Sequence, residues 1–64
     1  MERVARKLGF VFRRQTGSHA IYTRASDDSI VVIPIHKGRT IPIGTARAIL
    51  RDMNITVEEF QRLS

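Results

Sequence analysis

The stretch His19-Ala20-Ile21-Tyr22-Thr23-Arg24-Ala25-Ser26-Asp27-Asp28-Ser29-Ile30-Val31-Val32-Ile33-Pro34-Ile35 reads as two β-strands joined by a turn. β-Branched and aromatic residues fill both arms, and Ile30 to Ile33 is the strongest strand signal in the chain. The short polar residues Ala25-Ser26-Asp27-Asp28 between them suit a hairpin turn. Upstream, Phe10 to Arg14 is a third strand-like run, apolar and then basic. Gln15-Thr16-Gly17-Ser18 is its turn, with Gly17 supplying a positive φ at little steric cost. Three strands joined by short turns predict an antiparallel meander.

Working outward, residues 2–8 read as a short helix with Val4, Ala5 and Leu8 on one side, ended by Gly9. Downstream, residues 36–40 form a polar loop that holds His36, Lys37 and Arg39. A helix follows from about Pro42, a residue that suits a first helical turn, with Ile43, Ala46, Leu50 and Met53 at helical spacing. Thr56 and Glu59 have the spacing of a capping box, with Ile55 and Phe60 as its hydrophobic staple, so a short C-terminal helix is expected. The sum is an α+β fold in a single domain spanning residues 1–64, with helices on one face of a three-stranded antiparallel sheet. The other face is expected to be open to solvent or to a ligand.

With 64 residues, the chain has a thin core, and any site should be shallow and shaped by turns. Eleven Lys and Arg against six Asp and Glu leave a formal charge of +5, which favours polyanionic partners. The absence of cysteine rules out disulfides and thiolate metal sites, and a cytoplasmic location is expected. The N-terminus is charged and lacks the apolar stretch of a signal peptide, and the longest apolar run, Ile30 to Ile35, is far too short to cross a bilayer. No membrane partner and no small-molecule cofactor are expected.

Chemistry centres on the only two histidines, His19 and His36. If the second hairpin centres between Asp27 and Asp28, His19 falls opposite His36. If the first centres between Thr16 and Gly17, Arg14 falls beside His19. Directly opposed residues share a face with Cβ atoms about 4.5–5.5 Å apart. The expected cluster is Arg14, His19 and His36, with Lys37 and Arg39 just beyond. Histidine can act as base or acid near neutral pH, and arginine can hold phosphate oxygens. RNA carries its own nucleophile, the 2′-hydroxyl, so such a cluster suits RNA cleavage without a metal. Two histidines without further ligands also fall short of a structural zinc site. On residue chemistry alone, His19 reads more readily as an ordinary polar residue starting a strand than as a catalyst, and His36 more readily still as a loop residue ending one.

Three blocks together resemble the HicA toxin family, the ribonuclease half of HicA–HicB toxin–antitoxin systems. Leu8 to His19 is similar to its glycine–aromatic strand followed by Gly17-Ser18-His19, and Val32-Ile33-Pro34-Ile35-His36 to its Val-Pro-x-His strand end. Ile41 to Leu50 resembles its helix signature, in which Gly44-Thr45 precedes Ile49-Leu50. The family usually carries a longer first helix, whereas only Met1 to Leu8 precede Gly9 here. The resemblance implies a fold like the double-stranded-RNA-binding domain, α-β-β-β-α, and metal-independent cleavage of mRNA with His19 as the catalytic residue. It also implies a HicB-like antitoxin as protein partner. Within that reading, Gly17 and Ser18 shape the turn, Arg13 or Arg14, Lys37 and Arg39 hold RNA phosphates, and His36 is the second proton carrier. The alternatives are a non-catalytic RNA-binding module of the same fold and an inactive toxin relic.

Overall fold

The computed structural model describes residues 1–35 and 40–64. In chain order the elements are α1 (Glu2–Lys7), β1 (Val11–Thr16), β2 (His19–Arg24), β3 (Ser29–Pro34), α2 (Ile43–Met53) and α3 (Val57–Leu63). The strands form one antiparallel sheet in the order β1-β2-β3. This is the expected α+β order, α-β-β-β-α with an added C-terminal helix, and it is consistent with a fold like the double-stranded-RNA-binding domain. Among the described residues, no helix is long and apolar enough to cross a membrane.

Side chains alternate along β2 and β3, so one sheet face is covered and the other is open. Ala20 pairs with Ile33 and Tyr22 with Val31, and all four are buried. They pack with Ala5 of α1, Phe10, and Ile49 and Met53 of α2 to form the core. The buried part of α2 is its C-terminal half, Ile49, Leu50 and Met53. Ile43, expected on the same stripe, sits in the first turn and is 72% exposed.

The first strand differs from expectation at both ends. It starts at Val11, because Phe10 turns into the core, and it runs on through Gln15 and Thr16. These two polar residues were expected in the turn. They are tolerated in a strand because β1 is a sheet edge exposed on both faces. Phe12 is consequently half exposed, lying edge-on to Tyr22 with ring centroids 5.6 Å apart.

Pro34 closes β3 on the opposite edge. The Ile35 N–H donates to the Ser18 carbonyl at 2.6 Å, so by strand alternation the backbone of Pro34 faces away from β2. A residue without an N–H breaks no ladder bond there.

Two polar ties fasten α1 to this sheet. The buried Tyr22 hydroxyl donates to the Glu2 carboxylate, while the Arg6 guanidinium lies 3.4 Å from that hydroxyl. Burial first, and then the Glu2 carboxylate, push the Tyr22 hydroxyl above its ordinary value of 10.0. At the other end Arg24 donates to the Leu8 carbonyl at 2.9 Å and stacks over Phe10, 4.4 Å from the ring centroid. The same guanidinium grips Asp27 through two bonds of 3.0 and 2.9 Å.

Those two bonds, with a third from the Ser29 backbone, hold the Asp27 carboxyl far below its ordinary value of 3.8. A depressed carboxylate contributes stability above its unfolded-state value and loses it as the pH falls towards the folded-state value. Asp27→Asn should therefore flatten the acid side of a melting-temperature profile, most clearly below about pH 4. An acid limb identical to that of the parent protein would show that the pair contributes nothing. High salt should shrink the difference, since both groups meet solvent.

Helix α3 carries the expected capping box. The Thr56 hydroxyl accepts from the Glu59 N–H at 3.1 Å, and the Glu59 carboxylate accepts from the Thr56 N–H at 3.1 Å. None of its residues is buried, and Lys7 of α1 reaches the Leu63 carbonyl at 2.7 Å.

Candidate functional site

The turn between β1 and β2 is only Gly17-Ser18, closed by the pair Thr16–His19. Gly17 has φ +58, and Ser18 does not share a positive φ. That pattern is the glycine-first two-residue turn, whose twist matches flanking strands. The Gln15 amide braces it by donating to the Gly17 carbonyl at 3.0 Å. Nothing lies within 4 Å of where a Gly17 Cβ would stand, so Gly17→Ala meets backbone strain alone. The expected cost is about 1 kcal/mol in denaturant unfolding, with Gly17→Asn closer to wild type. An alanine variant as stable as the parent would refute this account of the turn.

His19 is the first residue of β2 and is exposed. Ala20 and Tyr22 turn to the helices, so His19, Ile21 and Thr23 turn to the open face. Its neighbours across the strands are Thr16 and Pro34. The expected opposition to His36 and direct pairing with Arg14 are therefore both corrected, each by a two-residue slip. In the second hairpin the turn closes on Arg24–Ser29, because Asp28 takes a left-handed φ of 55 and Asp27 is gripped by Arg24. In the first, the short turn moves the pairs between it and the bulge by two positions, so Arg14 sits opposite Ile21, while beyond the bulge Phe12 and Val11 move by one. A slip of two keeps His19, Ile21 and Arg14 on their expected face, whereas a slip of one would have reversed them. Arg14 thus remains a diagonal neighbour of His19 on the open face, within reach of a long side chain. His36, Lys37 and Arg39 lie outside the described residues.

A bulge in β1 adds the second cation. Phe12 pairs with Tyr22 and Arg14 with Ile21, leaving Arg13 as an extra residue. Strict alternation would send consecutive arginines to opposite faces. The bulge instead lets Arg13 line a recess with Thr23 and Ile30, which belong to the open face. Both Arg13 and Arg14 therefore serve the face that presents His19. Arg24 is committed to Leu8, Phe10 and Asp27, and Arg6 to Tyr22.

The sequence reading missed the apolar floor of this face. Val11 (61% exposed), Ile30 (62%) and Val32 (43%) lie beside half-buried Ile21. The signal was present in the unbroken run Ile30-Val31-Val32-Ile33, since alternation on a half-covered sheet should have put polar residues at 30 and 32. Such a patch, flanked by cations, marks a contact surface.

Residues 1–55 match the family model described as the HicA toxin of bacterial toxin–antitoxin systems. The chain belongs to the HicA toxin family. HicA toxins are the toxin partners of HicB antitoxins and generally act as mRNA interferases. The matched span contains the whole sheet, His19 and α2, whereas α3 lies beyond it. A search of curated proteins returned no match.

Proposed function

We propose that this HicA-family chain is a metal-independent endoribonuclease that cuts mRNA in the cytoplasm and so stops translation, with His19 as its general base or acid. The observation that carries this reading is the open sheet face, where an exposed His19 stands with Arg13 and Arg14 over an apolar floor. In the reaction the 2′-hydroxyl oxygen attacks the adjacent phosphorus while the bond to the 5′-oxygen breaks. His19 takes the 2′ proton, and a proton is delivered to the leaving 5′-oxygen. The products are a 2′,3′-cyclic phosphate and a 5′-hydroxyl. His36 is the second proton carrier in this scheme and supplies that proton, Arg14, Lys37 and Arg39 hold the charge of the phosphate being cut, and Arg13 holds a phosphate further along the strand. Gly17 and Ser18 set where His19 leaves the turn. The protein partner is a HicB-like antitoxin.

The test is an RNA carrying a single 2′-deoxy position at the cut. It should resist at that bond and remain cleavable elsewhere, in buffer with a metal chelator. Normal cutting at the deoxy position would refute the 2′-hydroxyl mechanism, and dependence on added divalent metal would refute the metal-independent route.

A further inference from the structure

The open face has two ends. His19 lies at one, and at the other a recess of about 380 Å³ lies between the β1 bulge and the β2–β3 turn. Arg13, Thr23, Asp28, Ser29 and Ile30 line it, together with Arg24, whose guanidinium is already held by Asp27. His19 and Thr23 are four residues apart along β2, or about 13 Å. Between the two ends run Ile21, Val32 and Ile30, apolar and partly or largely exposed.

A phosphate alone is a poor occupant of the recess, because the Asp28 carboxylate shares its wall with Arg13. A nucleotide suits both groups. Its phosphate meets Arg13, its base lies against Ile30, and an amino group on the base donates to Asp28, an acidic side chain being a known acceptor for cytosine N4. The apolar stripe also selects the form of the nucleic acid. Bases can cover it only when they are splayed from a single strand, since a duplex shows its sugars and phosphates outward and would leave the stripe wet.

We infer that this recess is a second nucleotide subsite, which holds an amino-bearing base of single-stranded RNA a few nucleotides from the phosphate at His19. The inference rests on the proposed RNA-cleaving role of the face, and it assigns that role a footprint and a base preference.

Oligonucleotides with 2′-O-methyl riboses separate binding from cutting, because their nucleophile is blocked. Wild-type protein should bind a cytidine hexamer at least about tenfold tighter than a cytidine dimer and tighter than a uridine hexamer. Arg13→Gln, and separately Ile30→Glu, should remove most of the length advantage. Asp28→Asn should remove the cytidine preference while keeping the left-handed backbone, which asparagine accepts. Melting curves confirm that each variant is folded, as all three positions are exposed. A length advantage that survives Arg13→Gln, equal binding of cytidine and uridine hexamers, or tighter binding of a duplex would overturn the subsite. Failure of the enzymatic reading would look different, with unmodified RNA left intact while these binding differences persist.

Discussion

Replacing His19 with alanine should slow RNA cleavage by about 10²–10⁴-fold, the range that a positioned general acid or base supplies. The argument depends on where the imidazole stands. His19 begins β2 on the open face, is exposed, and is not part of the buried core. Its removal should leave the melting temperature close to wild type, so lost activity reports chemistry. His19→Gln keeps much of the size and hydrogen-bonding capacity but cannot exchange a proton near neutral pH, and it should be as inactive as alanine. The pH–rate profile of the parent should carry a limb that neither variant shows. If the alanine protein cuts RNA as fast as wild type, the catalytic assignment is gone, whatever the family does.

Tyr22→Ala is the second large effect, and it acts on stability. Tyr22 is fully buried at the centre of the sheet, paired with Val31 and packed in the same cluster as Phe10, Ile49 and Met53. Emptying such a site costs about 3–5 kcal/mol, comparable with the whole stability of a small domain. The variant should lose its cooperative unfolding transition or show it only at low temperature. Tyr22→Phe separates the hydroxyl from the ring. It keeps the packing and removes the bond to Glu2, for a smaller loss of roughly 1.5–3 kcal/mol. The hydroxyl also gives the parent an alkaline limb. Its folded-state value is raised, so its contribution is complete below 10.0 and fades as pH rises beyond that point. The phenylalanine variant should lack this limb. A Tyr22→Ala protein that melts like the parent would contradict the packing described here.

The element order was legible because each signal was local. Gly9 and Gly17 punctuate, β-branched runs mark β2 and β3, and Thr56 with Glu59 marks the start of α3. Pair register was not legible, since it depends on how many residues each turn consumes. Ala25 to Asp28 was recognised as the turn, but its closing pair is set by the Arg24–Asp27 grip and the left-handed Asp28, which are side-chain and backbone choices made only on folding. The bulge was hidden for a similar reason. Two adjacent arginines have the same composition whether they share a face or straddle the strand, so only the pairing of Phe12 with Tyr22 and Arg14 with Ile21 shows that both serve one side. His19 itself was conspicuous as a residue and ambiguous as a catalyst, because one exposed histidine at the start of a strand has the same local sequence in either role.

That bulge has a consequence for how the gene can change. With Arg13 removed, Val11, Phe12, Arg14, Gln15 and Thr16 alternate across the sheet with the same partners they have now. A lost or gained codon usually scrambles a strand, because every side chain beyond it changes sides. At this one place the change is silent for the neighbours. A lineage could acquire or discard a cation on the working face by a single in-frame codon, without re-addressing any other residue of the sheet.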